Sequence, residues 1–349
     1  MTWLTWRQLR VQAAVVYAAV LALALALLAT RSGVLSLSHA NVDAFLANLE
    51  ASRRDATLYE IGTLVVWAVP AVIGAFWGAP VVARELEAGT HRLVWTQSVT
   101  RSRWLAIRLG VGVVAAMAAT ALVSLTFSWW CSPIDKAVNG GQSSDMFGVP
   151  RIVPEIFGAR GIAPIGYAAF AFMLGVAAGA LIRRTVPAMA VMLVIYIVVQ
   201  VAMPSLVRPH LAADAVKTIT ITRDNLHGLM GRGPDQIDEL DVGADLPGAW
   251  VRGNRTIGSN GAPLVEIPSW VVDCLAPPPA PGQRPAPGDG NDAATAACFD
   301  RLASEGIRQR IHYQPASHYW TLQWRETGLM LLAAGGLAGL CFWRVRRLS

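Results

Sequence analysis

Few residues of this chain could carry out catalysis. Its six histidines stand apart along the sequence, without an HExxH or GxSxG pattern, at His39, His91, His210, His227, His312 and His318. Isolated surface or core histidines fit this scatter better than a metal centre or a hydrolytic triad does. The sequence therefore predicts no catalytic residue and no metal site.

The lysines argue against nucleotide hydrolysis by this chain. A phosphate-binding GxxxxGK[ST] loop needs a lysine directly after a glycine, whereas Lys136 follows Asp135 and Lys217 follows Val216. This chain cannot be its own P-loop ATPase, and we expect it to carry no cofactor.

Two of the four cysteines could form a disulfide. Cys274 and Cys298 flank a stiff, turn-rich stretch, APPPAPGQRPAPGDG at 276–290, whereas Cys131 and Cys341 fall at the ends of different apolar segments. In an oxidising compartment, a bridge between the first two would stabilise the surrounding domain by ~3 kcal/mol in the chain-entropy picture. The alternative is that both are unpaired small hydrophobic residues.

Composition indicates that lipid surrounds much of the chain. Of 349 residues, 54% are hydrophobic and 15% charged, and the mean hydropathy is +0.43. A bilayer core about 30 Å thick needs a helix of roughly 20 apolar residues. Six segments meet or nearly meet this length: 11–30, 61–82, 109–130, 162–182, 186–203 and a shorter one beginning near Thr327.

Basic residues predict the orientation of these segments. With a cytoplasmic N-terminus, the inner side carries a large basic excess against only Glu85 and Glu87, whereas the short outer loops are balanced. The inner basic residues are Arg7, Arg10, Arg84, Arg92, Arg101, Arg103, Arg108, Arg183, Arg184, Arg344, Arg346 and Arg347. By the positive-inside rule, both termini are expected in the cytoplasm. This rule also explains the net charge of +6 without nucleic-acid binding.

The long segment between the fifth and sixth spans differs in composition from the rest. It is rich in proline and acidic residues, and its stretches 216–222 and 307–314 alternate as strands do. The stretch 291–306 starts with an N-cap candidate and stops at a glycine, which is typical of a helix. We expect an all-α polytopic membrane protein with six transmembrane helices and a small α+β extracytoplasmic domain. Its parts are a membrane domain at 1–203, the extracytoplasmic domain at 204–320, and the sixth span with a basic tail at 321–349.

A polar, arginine-rich segment, ARELEAGTHRLVWTQSVTRSRW at 83–104, separates the second and third spans. Gly89 is typical of a helix end, and Thr90 can cap a short amphipathic helix over 90–97 with Leu93 and Val94 on one side. The pattern predicts a rigid cytoplasmic projection formed by a helix, a break and a short cross-helix.

This segment resembles the cytoplasmic loop of type-2 ABC transporter permeases, in which an acidic residue, a Gly-Thr pair and an arginine surround the coupling helix. Together with YQPASHYWTLQWRETG at 313–328, it is similar to an actinobacterial group of these permeases. His91 and Arg92 stand where many members carry an apolar residue and then an acid, and the fifth-to-sixth segment is far larger than the hairpin of many members.

The resemblance implies a permease subunit of an ATP-driven transporter in a bacterial cell membrane. Loop 83–108 would dock on a separate cytoplasmic ABC ATPase, which binds ATP and Mg²⁺, and a second permease copy would complete a dimer. The implied coupling residues are Glu85, Glu87, Gly89, Thr90, His91, Arg92, Leu93 and Val94. The alternative is that these charges only mark the membrane interface.

The resemblance also implies a substrate cavity lined by the first, second and fifth spans. Aromatic candidates there are Tyr17, Trp67, Phe76, Trp77 and Tyr196. An apolar cavity suits export of a hydrophobic or amphipathic molecule, although each aromatic could equally face lipid or pack between helices. Two other classes remain open: a membrane-anchored sensor or immunity module with a ligand-binding ectodomain, and a secondary transporter.

Overall fold

The computed structural model describes residues 2–40, 44–87, 101–233, 236–264, 266–271 and 292–346. The chain divides into two compact units. The membrane unit comprises Met1–Ala212 and Ala316–Ser349, and the inserted unit comprises Ala213–Pro315.

The described part of the membrane unit is helical. Its helices are α1 (Thr2–Ala40), α2 (Phe45–Ala51), α3 (Arg53–Ile73), α4 (Pro80–Glu87), α5 (Arg101–Trp130), α6 (Ser132–Asn139), α7 (Pro154–Phe157), α8 (Ala163–Ile182), α9 (Thr185–Ala202) and α10 (Arg208–Leu211). After α11 (Asp292–Ser304) of the inserted unit, the chain returns to the membrane unit with α12 (Tyr319–Arg346). A π-helical turn, Gly74–Gly78, joins α3 to α4, and another, Met203–Val207, joins α9 to α10.

Six segments of the described chain are long and apolar enough to cross a membrane, which confirms the number predicted from the sequence. They are span 1 (Ala14–Ser38), span 2 (Arg53–Glu85), span 3 (Leu105–Trp130), span 4 (Ala163–Ile182), span 5 (Thr185–Leu211) and span 6 (Ala316–Arg344).

Several spans extend beyond the ends expected from the sequence. The helix of span 1 continues past Arg31 to Ala40, span 5 continues past Met203 to Leu211, and span 6 begins at Ala316, before Thr327. The expected ends lay where the apolar runs meet charged or polar residues. Charges do not end these helices because the fold pairs them inside, as described below for Arg31 and Arg208.

Span 4 is the most buried of the six and packs against spans 2, 3, 5 and 6. Its Gly175 faces the π-helical turn of span 2 so closely that a Cβ atom there would lie 2.1 Å from the carbonyl oxygen of Gly74. A Cβ on Gly179 would lie 2.4 Å from the oxygen of Ala79. Small residues permit this backbone-to-backbone contact, a common way for helices to associate in membranes.

The inserted unit is α+β. Strands β1 (Ala215–Thr220), β5 (Arg308–Gln314) and β4 (Trp250–Ile257) form an antiparallel sheet in the order β1-β5-β4, and β2 (Leu226–Gly233) pairs with β3 (Gln236–Val242). Helix α11 (Asp292–Ser304) precedes β5. The structure confirms the two strands and the helix predicted in this segment, and adds β2, β3 and β4.

One face of the three-stranded sheet covers an apolar core that includes Leu240, Val242 and Leu302. Gln309 of β5 is fully buried on this face. The Thr256 hydroxyl donates to the side-chain oxygen of Gln309 at 2.9 Å, and the side-chain amide of Gln309 donates to Asn254 Oδ1 at 2.7 Å. A buried amide with both ends bonded is consistent with a stable core.

Candidate functional site

The loop between spans 2 and 3 starts from a helix end that is tied to span 3. Glu85, on α4, forms a salt bridge of 3.1 Å with Arg108, which is only 9% exposed. The Arg108 guanidinium also donates to the backbone oxygen of Val81 at 3.1 Å. A partly buried, hydrogen-bonded ion pair holds its partners more firmly than an exposed one.

The next acidic residue ties the same helix end to span 5. Glu87 Oε2 accepts hydrogen bonds from the Thr185 hydroxyl at 2.8 Å and from the Thr185 backbone N–H at 3.2 Å. Thr185 is the first residue of α9, where the helix dipole favours a negative charge. These two hydrogen bonds, with a smaller effect of nearby Arg184, lower the pKa of Glu87 below its ordinary value.

Glu85 and Glu87 are thus the two predicted coupling residues that the structure describes, and they anchor one helix to two different spans. The other predicted coupling residues, Gly89, Thr90, His91, Arg92, Leu93 and Val94, lie outside the described residues. The turn between spans 4 and 5 is well defined, because Arg183 adopts a left-handed conformation (φ 60°) and ends α8.

A second polar cluster joins spans 4, 5 and 6. Arg208 and Glu326 form a two-point ion pair, with Nε to Oε2 at 2.8 Å and Nη2 to Oε1 at 3.0 Å, and both side chains are buried. The Tyr167 hydroxyl donates to Glu326 Oε1 at 2.8 Å, and the Phe157 ring lies 4.1 Å from the Arg208 guanidinium carbon.

Gln323, one turn before Glu326, caps span 4. Its side-chain oxygen accepts the backbone N–H groups of Ile162 at 2.9 Å and Ala163 at 2.7 Å, and its amide donates to the Arg160 backbone oxygen at 3.1 Å. Span 6 therefore supplies both the cap of span 4 and the counter-ion of span 5.

Arg31 joins spans 1 and 3 in a similar way. Its guanidinium donates to the Trp130 backbone oxygen at 2.7 Å and to the Ser132 hydroxyl at 3.0 Å, and it lies 4.4 Å from the Trp129 ring. A long arginine bonded in this way is part of the packing, which is why α1 continues beyond it.

The structure separates the five aromatic candidates for the substrate cavity. Tyr17 and Trp77 are neighbours, with ring centroids 6.2 Å apart, and the Tyr17 hydroxyl donates to the Ala115 backbone oxygen on span 3. Tyr196 is buried against Tyr167 of span 4.

The remaining two candidates have other surroundings. Trp67 packs beside Gly158, and Phe76 is 54% exposed. No described contact joins either of them to Tyr17.

A cavity of about 400 Å³ lies elsewhere, between spans 3, 4 and 6. Small and apolar residues line it, including Gly110, Ala169, Met173, Gly335 and Ala338. Sequence reasoning did not indicate this cavity, because its glycines and alanines lack the aromatic signal that was used to find candidates.

The described residues hold no group of three or more potential metal ligands. Among the described cysteines, Cys131 and Cys341 are buried free thiols. Cys298 is also buried, but it is not a free thiol. Cys274 lies outside the described residues, so its pairing with Cys298 stays a prediction.

Comparison with known families matches residues 8–208 to the family described as ABC-2 membrane transporter related. This match covers more than half of the chain. The chain belongs to the ABC-2 membrane transporter related family. None of the curated proteins and none of the solved structures compared with this permease matches it.

An ABC-2 permease is the membrane component of its transporter and works with an ABC ATPase. Six apolar helices and this family together make the chain a multi-pass membrane permease. The polar partners that sequence reasoning missed are Arg108, Thr185, Arg208, Gln323 and Glu326. Arg108, Arg208 and Glu326 are charges at or beyond the ends of apolar runs, and they fall outside the spans predicted from the sequence.

Proposed function

We propose that this chain is the transmembrane subunit of an ATP-driven exporter, coupled to a separate ABC ATPase through loop 83–108. The ATPase subunit supplies the ATP and Mg²⁺ chemistry. Family membership favours this function over a sensor module or a secondary transporter.

The observation that carries the proposal is the double anchoring of α4. Glu85 joins this helix to span 3 through Arg108, and Glu87 joins it to span 5 through Thr185. A force applied to the loop that follows α4 therefore acts on spans 2, 3 and 5 together. If these spans move as one rigid body, closure of the ATPase would switch the permease between inward-open and outward-open states.

The cargo that we propose is hydrophobic or amphipathic. The cavity between spans 3, 4 and 6 is lined by apolar groups, and the paired rings of Tyr17 and Trp77 add an aromatic surface on spans 1 and 2. Such surfaces bind apolar ligands with few polar contacts. We further propose that two copies of the permease associate, with the inserted unit outside the cell and both termini in the cytoplasm.

Coexpression with an ABC ATPase tests the coupling. We expect the ATPase to copurify with the wild-type permease, and the double variant Glu85→Ala/Glu87→Ala to lose substrate-stimulated ATP hydrolysis because the loop base is no longer anchored. Glu60→Ala is the matched control, since Glu60 is an exposed glutamate on the same span, far along the chain from the loop.

The expected control result is wild-type copurification and hydrolysis. Wild-type stimulation in the double variant, with normal membrane expression, would remove the proposed role of the loop base. Failure of the wild-type chain to retain any ABC ATPase would remove the proposed function itself.

A further inference from the structure

The outer face of the three-stranded sheet in the inserted unit carries a concentration of arginines. On the central strand, β5, Gln309 and Ile311 are buried against the core. Side chains alternate between the two faces of a strand, so Arg308 and Arg310 lie on the opposite, outer face. Arg308 is exposed and Arg310 is half-buried.

The neighbouring strands extend this row of basic groups. Arg310 lies directly opposite Arg255 of β4 and, on its other side, opposite Thr218 of β1. Residues directly opposite each other share a face, with Cβ atoms about 5 Å apart, and two like charges in this position destabilise a sheet. Arg255 is exposed, and the buried Thr256 beside it confirms that Arg255 faces outward.

No described ion pair involves these side chains. We name Arg255, Arg308 and Arg310 the arginine face. Within the described ranges, none of the three has a carboxylate partner.

Other arginines of the same unit do have partners. Arg252 pairs with Asp214 at 2.7 Å, and Arg301 pairs with Glu305 at 2.9 Å. Arg255, Arg308 and Arg310 thus differ from these two in having no carboxylate partner among the described ion pairs.

We propose that the arginine face binds a soluble polyanion made of linked phosphate groups. A guanidinium presents a planar fork of donors that matches phosphate oxygens, and the Thr218 hydroxyl beside Arg310 adds another donor. This binding surface lies in the inserted unit and is separate from the coupling function of loop 83–108.

Spacing favours a polymer over a single ion. Arg308 and Arg310 are two residues apart on an extended strand, which places their Cα atoms about 7 Å apart, and His312 continues the same face by a similar step. With Arg255 across from Arg310, the basic groups spread over two adjacent strands of the sheet. A chain with repeated negative charges can contact several of them at once.

The test uses the full chain in nanodiscs of zwitterionic lipid, with labelled inorganic polyphosphate at low salt. We expect wild-type protein to bind and Arg255→Gln to weaken the binding about tenfold, because one charge-assisted contact is lost. Arg255→Glu should weaken it further. The same variant should unfold at a higher temperature without ligand, since the introduced carboxylate faces Arg310.

Arg301→Gln is the matched control, because it removes the same charge from α11 rather than from the sheet face. It should bind polyphosphate as the wild type does. Equal loss in the control and in Arg255→Gln, or wild-type binding by Arg255→Glu, would overturn the proposal.

Two ligand controls separate the sources of phosphate. If unlabelled orthophosphate displaces the labelled polyphosphate as well as unlabelled polyphosphate does at equal total charge, the arginine face is a site for single ions. Binding to vesicles of anionic lipid without binding to polyphosphate would mean a membrane contact, and either result would contradict the proposed polymer. Raised salt should weaken the polyphosphate complex, because exposed charges are screened.

Discussion

At the scale of residues, the membrane unit shows how buried charge is made tolerable. Arg208 and Glu326 are almost completely buried, yet each offers the other two hydrogen-bonding atoms, and Tyr167 satisfies the carboxylate further. Taking two charges out of water is costly, and the attraction between them offsets that cost only while both are present. The ion pair therefore fixes how spans 5 and 6 pack together, but it adds little to the free energy of unfolding.

Removing one partner of this pair should be far more harmful than removing both. Glu326→Leu leaves a buried arginine without a counter-ion, so we expect a loss of about 3 to 5 kcal/mol in the free energy of unfolding. The double variant Arg208→Met/Glu326→Leu should recover most of that loss. Denaturation in mixed detergent micelles measures both, and a double variant no more stable than the single one would show that the ion pair itself is needed.

Asp135, on α6, gives the permease a pH-dependent stability. Burial raises the pKa of Asp135 from 3.8 to about 7, and the opposing effect of Arg151, 3.8 Å away, is smaller. The folded protein therefore retains a proton that the unfolded chain releases near pH 4. Since the folded state binds more protons between these values, its stability must fall as the pH rises from about 4 through about 7.

Asp135→Asn removes this dependence and keeps the shape of the side chain. We expect the unfolding temperature of the wild type to decrease relative to that of the variant between pH 5 and pH 8. Arg151 also lies 4.1 Å from the Tyr319 ring, a contact that the substitution leaves in place. Parallel pH curves for the two proteins would show that the Asp135 carboxylate is ionised throughout this range.

At the scale of elements, the contact between span 2 and span 4 depends on the absence of side chains. A Cβ atom on Gly175 would lie 2.1 Å from the Gly74 oxygen and 2.8 Å from the Ala79 nitrogen, both of which are backbone atoms that cannot turn aside. The two helices would have to separate to admit even one methyl group.

We therefore expect Gly175→Ala to destabilise the membrane unit by about 1 to 3 kcal/mol, the usual cost of overpacking. Gly336→Ala on span 6 is the control, because no heavy atom lies within 4 Å of a Cβ placed there. It should be neutral or slightly stabilising, since alanine is the better helix former. Equal stability of the two variants in detergent would mean that span 4 can shift without cost.

The same elements show what could be predicted from the sequence. Long apolar runs indicate spans because the bilayer requires them, and all six were predicted on that basis. The alternation at 216–222 and 307–314 was also sufficient to predict strands β1 and β5, because each segment has one face on a core. Gly175 carried no such signal, since a glycine in an apolar run is ordinary until the partner helix is known.

Charged residues limited the prediction at both the span ends and the candidate site. Arg31, Arg208 and Glu326 fall outside the spans predicted from the sequence, because an isolated charge is costly in lipid and interrupts an apolar run. Their partners are 99 residues away for Arg31 and 118 residues apart for the ion pair, so no local pattern could reveal them. Glu85 and Glu87 were predicted by resemblance, but their anchors on spans 3 and 5 required the structure.

At the scale of the whole molecule, sidedness decides whether the proposed coupling is possible. Loop 83–108 can meet an ATPase only if it faces the cytoplasm, and its basic residues, with those of both termini, favour that side. In the topology that we propose, all six candidate spans cross the membrane, so that both termini are cytoplasmic and the segment between spans 5 and 6 is outside.

Cysteine labelling of intact cells tests this arrangement and the proposed disulfide together. In a Cys131→Ala/Cys341→Ala background, a membrane-impermeant maleimide should label Gly288→Cys directly and Ser98→Cys only after the cells are permeabilised. The background protein should stay unlabelled until it is reduced, because Cys274 and Cys298 are expected to be bridged in an oxidising compartment. Direct labelling of Ser98→Cys would reverse the orientation and exclude docking of a cytoplasmic ATPase on the loop. Labelling of the unreduced background would instead leave the orientation standing and remove only the disulfide, so the two expectations fail separately.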